Sequence, residues 1–263
     1  MRRFLLGLLA LFAASALLGG CGNSATGGTE TGNTTAVSIR VIGYQSSSLP
    51  ALTVGDLEID RAVIVLDRLR FRPFSACQEG TEDEGAEEIQ IDGPFMVDLL
   101  NPSAISGLED IQMPGGRYCR IELVLKKLES AGPMFNRSVQ IEGTREDGTP
   151  FLMTTEVDEE FKLENETTGF LIEETDPLSV FFIAFDLDRW FDGVDLTDTF
   201  IEVSSGGGGE PIILINDSKN QNVQELIEEN LKRSAELFED SDDNESLDPE
   251  EEDNPLATGT SVP

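Results

Sequence analysis

The chain contains no histidine. That removes the commonest general base, the commonest zinc ligand and every Ser-His-Asp or Cys-His arrangement. Lysine is scarce as well: only five of the 18 basic residues are Lys, and 51 acidic residues face them. The resulting net charge of −33 repels nucleic-acid phosphates and anionic membrane surfaces alike, so neither is expected as an electrostatic partner. The acidity is not confined to a tail, because residues 36–216 hold 35 acids and 13 bases and residues 217–263 hold 15 and 3. It suits a surface kept soluble in a salty setting, and it supplies carboxylates for divalent cations. Aromatic residues make up 7% of the chain, with one Trp and two Tyr, which disfavours a sugar cleft lined by rings. Carboxylate-only glycosidase chemistry survives the lack of His, yet among 51 acids no pair stands out.

Long apolar runs are absent too. The longest is Phe4–Leu18, interrupted by Gly7 and Ser15, and a membrane span needs roughly 20 apolar residues. Arg2 and Arg3 precede the run, and Leu18-Gly19-Gly20-Cys21 closes it. Positive charge, a short apolar stretch, small residues and a cysteine form the order of a bacterial lipoprotein signal. The reading is a signal peptide over 1–20, cut before Cys21, with lipid on the Cys21 sulfur as a membrane anchor. Gly22, not Asp, follows the cysteine, which points to the outer membrane, the cell surface or the periplasm. Residues 21–35 have no large apolar side chain and read as a flexible Gly/Ser/Thr tether.

With Cys21 lipidated, Cys77 and Cys119 remain as a pair in an oxidising compartment. A disulfide between them is expected, two buried free thiols being the other arrangement.

Residues 36–216 read as one all-β domain. Val37, Ile39 and Val41 alternate with small or polar neighbours. Val63, Val65, Leu69 and Phe71 are expected on one face, with Arg68, Arg70 and Arg72 on the other. Further strand-like runs lie at 88–91, 95–100, 117–125, 138–143, 151–155, 170–173, 178–187, 200–203 and 212–215, separated by turns such as Asp92-Gly93-Pro94 and Met113-Pro114-Gly115-Gly116. Short strands at this spacing predict an antiparallel β-sandwich. The arginine stripe is expected to pair with the acidic loop Glu79–Glu88. Trp190 is expected as a buried plug in a short helical turn; an exposed Trp190 beside two carboxylates would instead favour a carbohydrate-binding or carbohydrate-processing surface.

The stretches Ala62–Phe71, Phe95–Leu100, Met113–Ile121, Gly148–Phe151 and Phe185–Phe191 together resemble a family of bacterial lipoproteins with a domain of unknown function. The resemblance implies an immunoglobulin-like or transthyretin-like sandwich and brings no catalytic residues.

Residues 217–239 show an i, i+3, i+4 stripe of Val223, Leu226, Ile227, Leu231, Ala235 and Phe238, which predicts an amphipathic helix to about Glu239. Asn222 and Glu225 suit a capping box at its start. Residues 240–263 form an acidic tail containing an EF-hand-like loop. Asp240, Asp242 and Asn244 fall at ligand positions, Ser246 offers a backbone carbonyl, Asp248 acts through water, and Glu251 closes the site with two oxygens. Calcium is the expected cofactor. Glu245 stands where the motif has Gly, and little chain is left for the exiting helix. Beyond Asp253 disorder is expected. The chain therefore reads as a lipid-anchored, non-enzymatic binding or structural module of the cell envelope, with a protein or glycan partner.

Overall fold

Seventeen consecutive residues, Leu57–Pro73, form the longest strand among the described residues. The structure, a computed structural model, describes residues 34–45, 53–54, 57–77, 88–174, 178–197, 199, 201–203 and 211–260. Cys21 with the signal run, nearly all of the tether, the acidic residues 79–87 and the glycine run 206–209 lie outside the described residues.

In chain order the strands are β1 (Thr34–Tyr44), β2 (Thr53–Val54), β3 (Leu57–Pro73), β4 (Ile89–Asp98), β5 (Ile111–Pro114), β6 (Gly116–Leu125), β7 (Val139–Arg145) and β8 (Pro150–Thr155). Then come β9 (Glu159–Glu164), β10 (Phe170–Ile172), β11 (Ser179–Asp186), helix α1 (Leu187–Trp190), β12 (Ile201–Val203) and β13 (Pro211–Ile215). Helix α2 (Gln221–Ser234), β14 (Ala235–Glu239), helix α3 (Pro249–Glu252) and β15 (Ala257–Thr260) complete the order. Among the described residues no helix is long and apolar enough to cross a membrane.

β3 does not keep one face inward along its length. Its register shifts between Ile59 and Arg61 against β7, and again between Leu66 and Arg68 against β4 and β6. Each such bulge reverses which side chains face the core. Leu57 and Ile59 enter the main core, then Ala62, Ile64 and Leu66, then Leu69 and Phe71. Val63 and Val65 therefore point the other way, under Met134. The single-face assignment of Val63 and Val65 with Leu69 and Phe71 is corrected by the second bulge. Residues 62–66 are all apolar, so their alternation carries no phase.

The strands join in one curled sheet in the order β12-β13-β8-β7-β3-β6-β9-β15-β14-β11-β1-β5, with β2 and β4 on β3 and β10 on β6. The sheet is mixed where an antiparallel sandwich was expected: β1 runs parallel to β11, and β13 parallel to β8. The curl brings β1 back toward β4, since Gly43 N donates to Leu99 O at 2.9 Å and Ile39 N to Leu108 O at 2.7 Å. The main core lies inside, filled by Phe71, Phe151, Phe161, Phe185, Leu69 and Trp190. β11 is buried on both faces. Phe181, Ile183 and Phe185 face the main core, while Val180, Phe182 and Ala184 face a smaller cluster with Phe238.

Four more expectations change. β9, where glutamates and a lysine hide the strand pattern, alternates fully buried Phe161 and Leu163 with outward charges. Helix α2 stops at Ser234, and Ala235–Glu239 is the strand β14. A strand buried on both faces shows no period-2 contrast, so its apolar residues continued the helical stripe by coincidence. Asn220, left-handed at φ 52°, precedes the helix in place of the Asn222–Glu225 capping box. β15 forms beyond Asp253, where disorder was expected.

Cys77 ends a short 3-10 turn after β3, and Cys119 lies on the adjoining strand β6. The two are bonded, with Cα atoms 6.5 Å apart and a sequence separation of 42. A loop of that size contributes about 4 kcal/mol in the chain-entropy account. Cys77→Ser combined with Cys119→Ser should lower the unfolding free energy by up to about 4 kcal/mol, read by guanidinium titration.

Candidate metal-binding loop and the adjoining cleft

β14 hands the chain directly to the 240–251 loop. Asp240 N continues the ladder by donating to Val180 O at 3.0 Å. The Asp240 side chain is buried and accepts from Asn244 N at 3.1 Å and Glu245 N at 2.8 Å. Those two bonds wind the loop around one carboxylate. Asp243 and Glu245 adopt left-handed φ of 59° and 62°. Asp242 Oδ1 accepts from Asn244 N at 3.3 Å, and Asn244 Nδ2 donates to Asp242 Oδ2 at 3.0 Å and Asp248 Oδ2 at 2.6 Å. Ser246 N donates to Asn244 Oδ1 at 2.7 Å.

Asp248 caps α3, with Pro249 in its first turn and a reciprocal capping box to Glu251. Glu251 is 8% exposed. Its Oε2 accepts from Asp248 N at 3.2 Å, and its Oε1 accepts from Ser241 N at 2.6 Å and Ser241 Oγ at 3.0 Å. One carboxylate thus ties the end of the loop to its beginning.

The outcome for the expected ligands is specific. Asp240, Asp242 and Glu251 each place a carboxylate oxygen within 4.8 Å of the others. Two oxygens on one calcium ion, each at 2.3–2.6 Å, are at most about 5 Å apart, so this spacing fits the ion. Asn244 and Asp248 stand beside them, bonded to one another. Three carboxylates this close repel by on the order of 3 kcal/mol per pair at an effective dielectric constant of about 20, before solvent screening. A divalent cation between them adds an attraction to each carboxylate that outweighs this repulsion.

The motif departs from an EF-hand at its entry: a strand, not a helix, leads into the loop. Glu245, in place of Gly, carries the left-handed turn and spends its side chain on Arg40 Nη2, at 2.6 Å. Leu247 packs on the cluster of Val180, Phe182, Ala184 and Phe238 with Ile42 and Tyr44. The loop is therefore fastened onto the outer face of β1 and β11.

Beside the loop lies a polar cleft of roughly 600 Å³, walled by Tyr44, Asp186, Arg189, Glu236 and Glu252 among others. Tyr44 Oη donates to Glu236 Oε2. Arg189 bridges Glu236 Oε1 and Asp186 Oδ2, both at 3.1 Å. Burial pushes the Tyr44 hydroxyl and the Asp186 carboxyl upward. Trp190 does not line this cleft; it is fully buried, donates from Nε1 to Ser234 Oγ at 2.6 Å and meets Phe185 edge-on.

The arginine stripe pairs mainly with neighbouring strands. Arg70 binds Glu122 at 2.8 Å and also Glu160, and Arg68 faces Asp92 at 3.9 Å; Arg120 of β6, outside the stripe, binds Glu164 at 2.6 Å. Of the acidic loop, Glu88 is described, 3.9 Å from Arg72. Glu160 and Glu164 belong to β9, whose charged residues mask its alternation in the sequence, while Asp92 and Glu122 lie on β4 and β6. No protein-family model, curated protein or solved structure matches the chain.

Glu252, between the cleft and the loop, titrates above the ordinary glutamate range through burial and through Asp186, Asp253 and Asp248. A carboxyl raised in the folded state favours folding below its unfolded value, and that contribution is lost as pH rises through the folded value. Glu252→Gln should therefore raise Tm at pH 7, with the gain vanishing below about pH 4, where the carboxyl is protonated in both states.

Proposed function

We propose that this protein is a lipid-anchored module of the cell envelope, non-enzymatic, with a calcium ion held by the 240–251 loop. The convergence of Asp240, Asp242 and Glu251, two of them buried, carries the cation half of the reading. All three donors are hard carboxylate oxygens, the class calcium takes. Asn244, Ser246 and Asp248 supply further oxygens on the same turn.

The order Arg2-Arg3, Phe4–Leu18, Gly19-Gly20-Cys21 supports the anchor, as does the Cys77–Cys119 bond, which suits an exported chain. The lack of His and the closed pairing of Tyr44, Arg189, Asp186 and Glu236 support a binding or structural role over catalysis. The resemblance to lipoproteins with an immunoglobulin-like or transthyretin-like domain belongs to the same reading. The partner is a protein or glycan at the outer membrane, the cell surface or the periplasm. A carbohydrate-processing role has the cleft between Asp186 and Glu236 in its favour, but Trp190 offers it no face.

Calcium tests the cation reading. Extracellular modules bind it at about 10⁻⁴–10⁻³ M, so 10 mM calcium chloride should raise Tm by about 3–10 °C. Asp240→Ala should abolish the rise. Equal ionic strength from sodium chloride separates site binding from screening of the acidic surface. An equal rise in parent, variant and sodium control sinks the calcium site. Cys21→Ser should move the protein from the membrane fraction to the soluble exported fraction; unchanged fractionation rules out the lipid anchor.

A further inference from the structure

Among the described strands, β15 lies between β9 and β14 in the curled sheet. On one side Thr258, Gly259 and Thr260 pair with Glu164, Leu163 and Lys162 of β9; on the other, Ala257 and Thr258 pair with Leu237 and Glu236 of β14. Without it, the described strand order breaks between β9 and β14. Yet β15 is built from Ala257-Thr258-Gly259-Thr260, and Ala257 is its sole buried side chain. Its neighbours bury Phe161 and Leu163 on β9, and Ala235, Leu237 and Phe238 on β14. This central strand thus adds a single small buried side chain where its two neighbours add five large or apolar ones between them, and few buried apolar contacts mark a segment that opens locally at low cost.

Its position is set from outside. Asn254 N donates to Glu251 O at 2.9 Å, and Leu256 N to Leu237 O at 2.7 Å, so a short connector carries α3 straight into β15. Glu251, the residue that bridges both ends of the 240–251 loop, sits at the root of that connector. At the other end Gly259 slides under the end of α2: a Cβ there would lie 2.5 Å from Lys232 O and 2.9 Å from Ala235 O. Glycine is needed at this close approach.

We propose that β15 is a detachable closing strap, docked when the 240–251 loop is wound and released when it unwinds. The cation that winds the loop thereby controls whether the edges of β9 and β14 are paired or open. That control rests on the calcium reading above; the strap itself rests on the strand order and on Gly259. Open edges of this kind accept an added strand from a partner.

Hydrogen–deuterium exchange of the whole protein, run beside a direct calcium titration, separates the two claims. If calcium binds, then at about 100 times its dissociation constant exchange at 159–164, 235–239 and 257–260 should slow by up to about 100-fold, with β7 and β8 unchanged. Binding without that slowing overturns the strap and leaves the calcium reading standing. If calcium does not bind, the calcium reading falls and Glu251→Gln decides the strap. Gln keeps one acceptor oxygen and turns the other into a donor, so it cannot hold both Ser241 and Asp248 as Glu251 does, and exchange should speed at 257–260 and in β9 but not in β7 and β8; equal rates overturn it. Gly259→Val is the second variant, since it blocks docking without touching the loop. It should open the same strands, and by reciprocity weaken calcium binding by the factor that calcium slows their opening. Unchanged affinity overturns the coupling.

Discussion

One strand has to serve two packing environments in this fold. Its N-terminal half pairs with β7 and its C-terminal half with β6, while β4 lies along its other edge. A regular strand could not keep apolar residues inward along both halves, because the halves belong to differently turned parts of the sheet. Two bulges absorb the mismatch, each rotating the inward face by one residue. The main core, the Met134 patch and the outward arginine stripe all follow from where those bulges fall.

The same sheet accommodates an acidic chain by giving its few cations several partners. Arg70 and Arg120 each meet more than one glutamate from β6, β9 or the turn after β9. Isolated surface pairs contribute little, and sharing lowers the entropy of holding each long side chain. Buried Glu236 and Asp186 converge on Arg189 by the same logic. In the 240–251 loop the carboxylates of Asp240, Asp242 and Glu251 gather instead, and among the described residues the loop's cationic partner is Arg40, on Glu245.

The loop could be located from residue spacing because its chemistry is local. Asp240, Asp242, Asn244, Asp248 and Glu251 lie within twelve consecutive residues, and one tight turn brings them together whatever surrounds it. Its substituted sixth position counted against it in sequence, but Arg40, two hundred residues away, supplies the reason for Glu245. No local rule could anticipate that contact. The cleft of Tyr44, Asp186, Arg189 and Glu236 was illegible for the same reason: its walls come from β1, α1 and β14, far apart in sequence.

The sequence by itself determined the β-rich class, most strand positions between 36 and 215, the pairing of Cys77 with Cys119, the buried Trp190 and the acidic loop. The pairing follows from the cysteine count; each of the others depends on period-2 alternation or on short-range spacing, which a chain carries without knowing its neighbours. Tertiary structure decided the rest. Val63 and Val65 changed sides because a bulge is set by the partner strands. Ala235–Glu239 became a strand because β11 and β15 offered it two edges, overriding a helical stripe that fitted equally well. Residues 257–260, too small to announce themselves, became a strand because the edges of β9 and β14 pair with them on both sides.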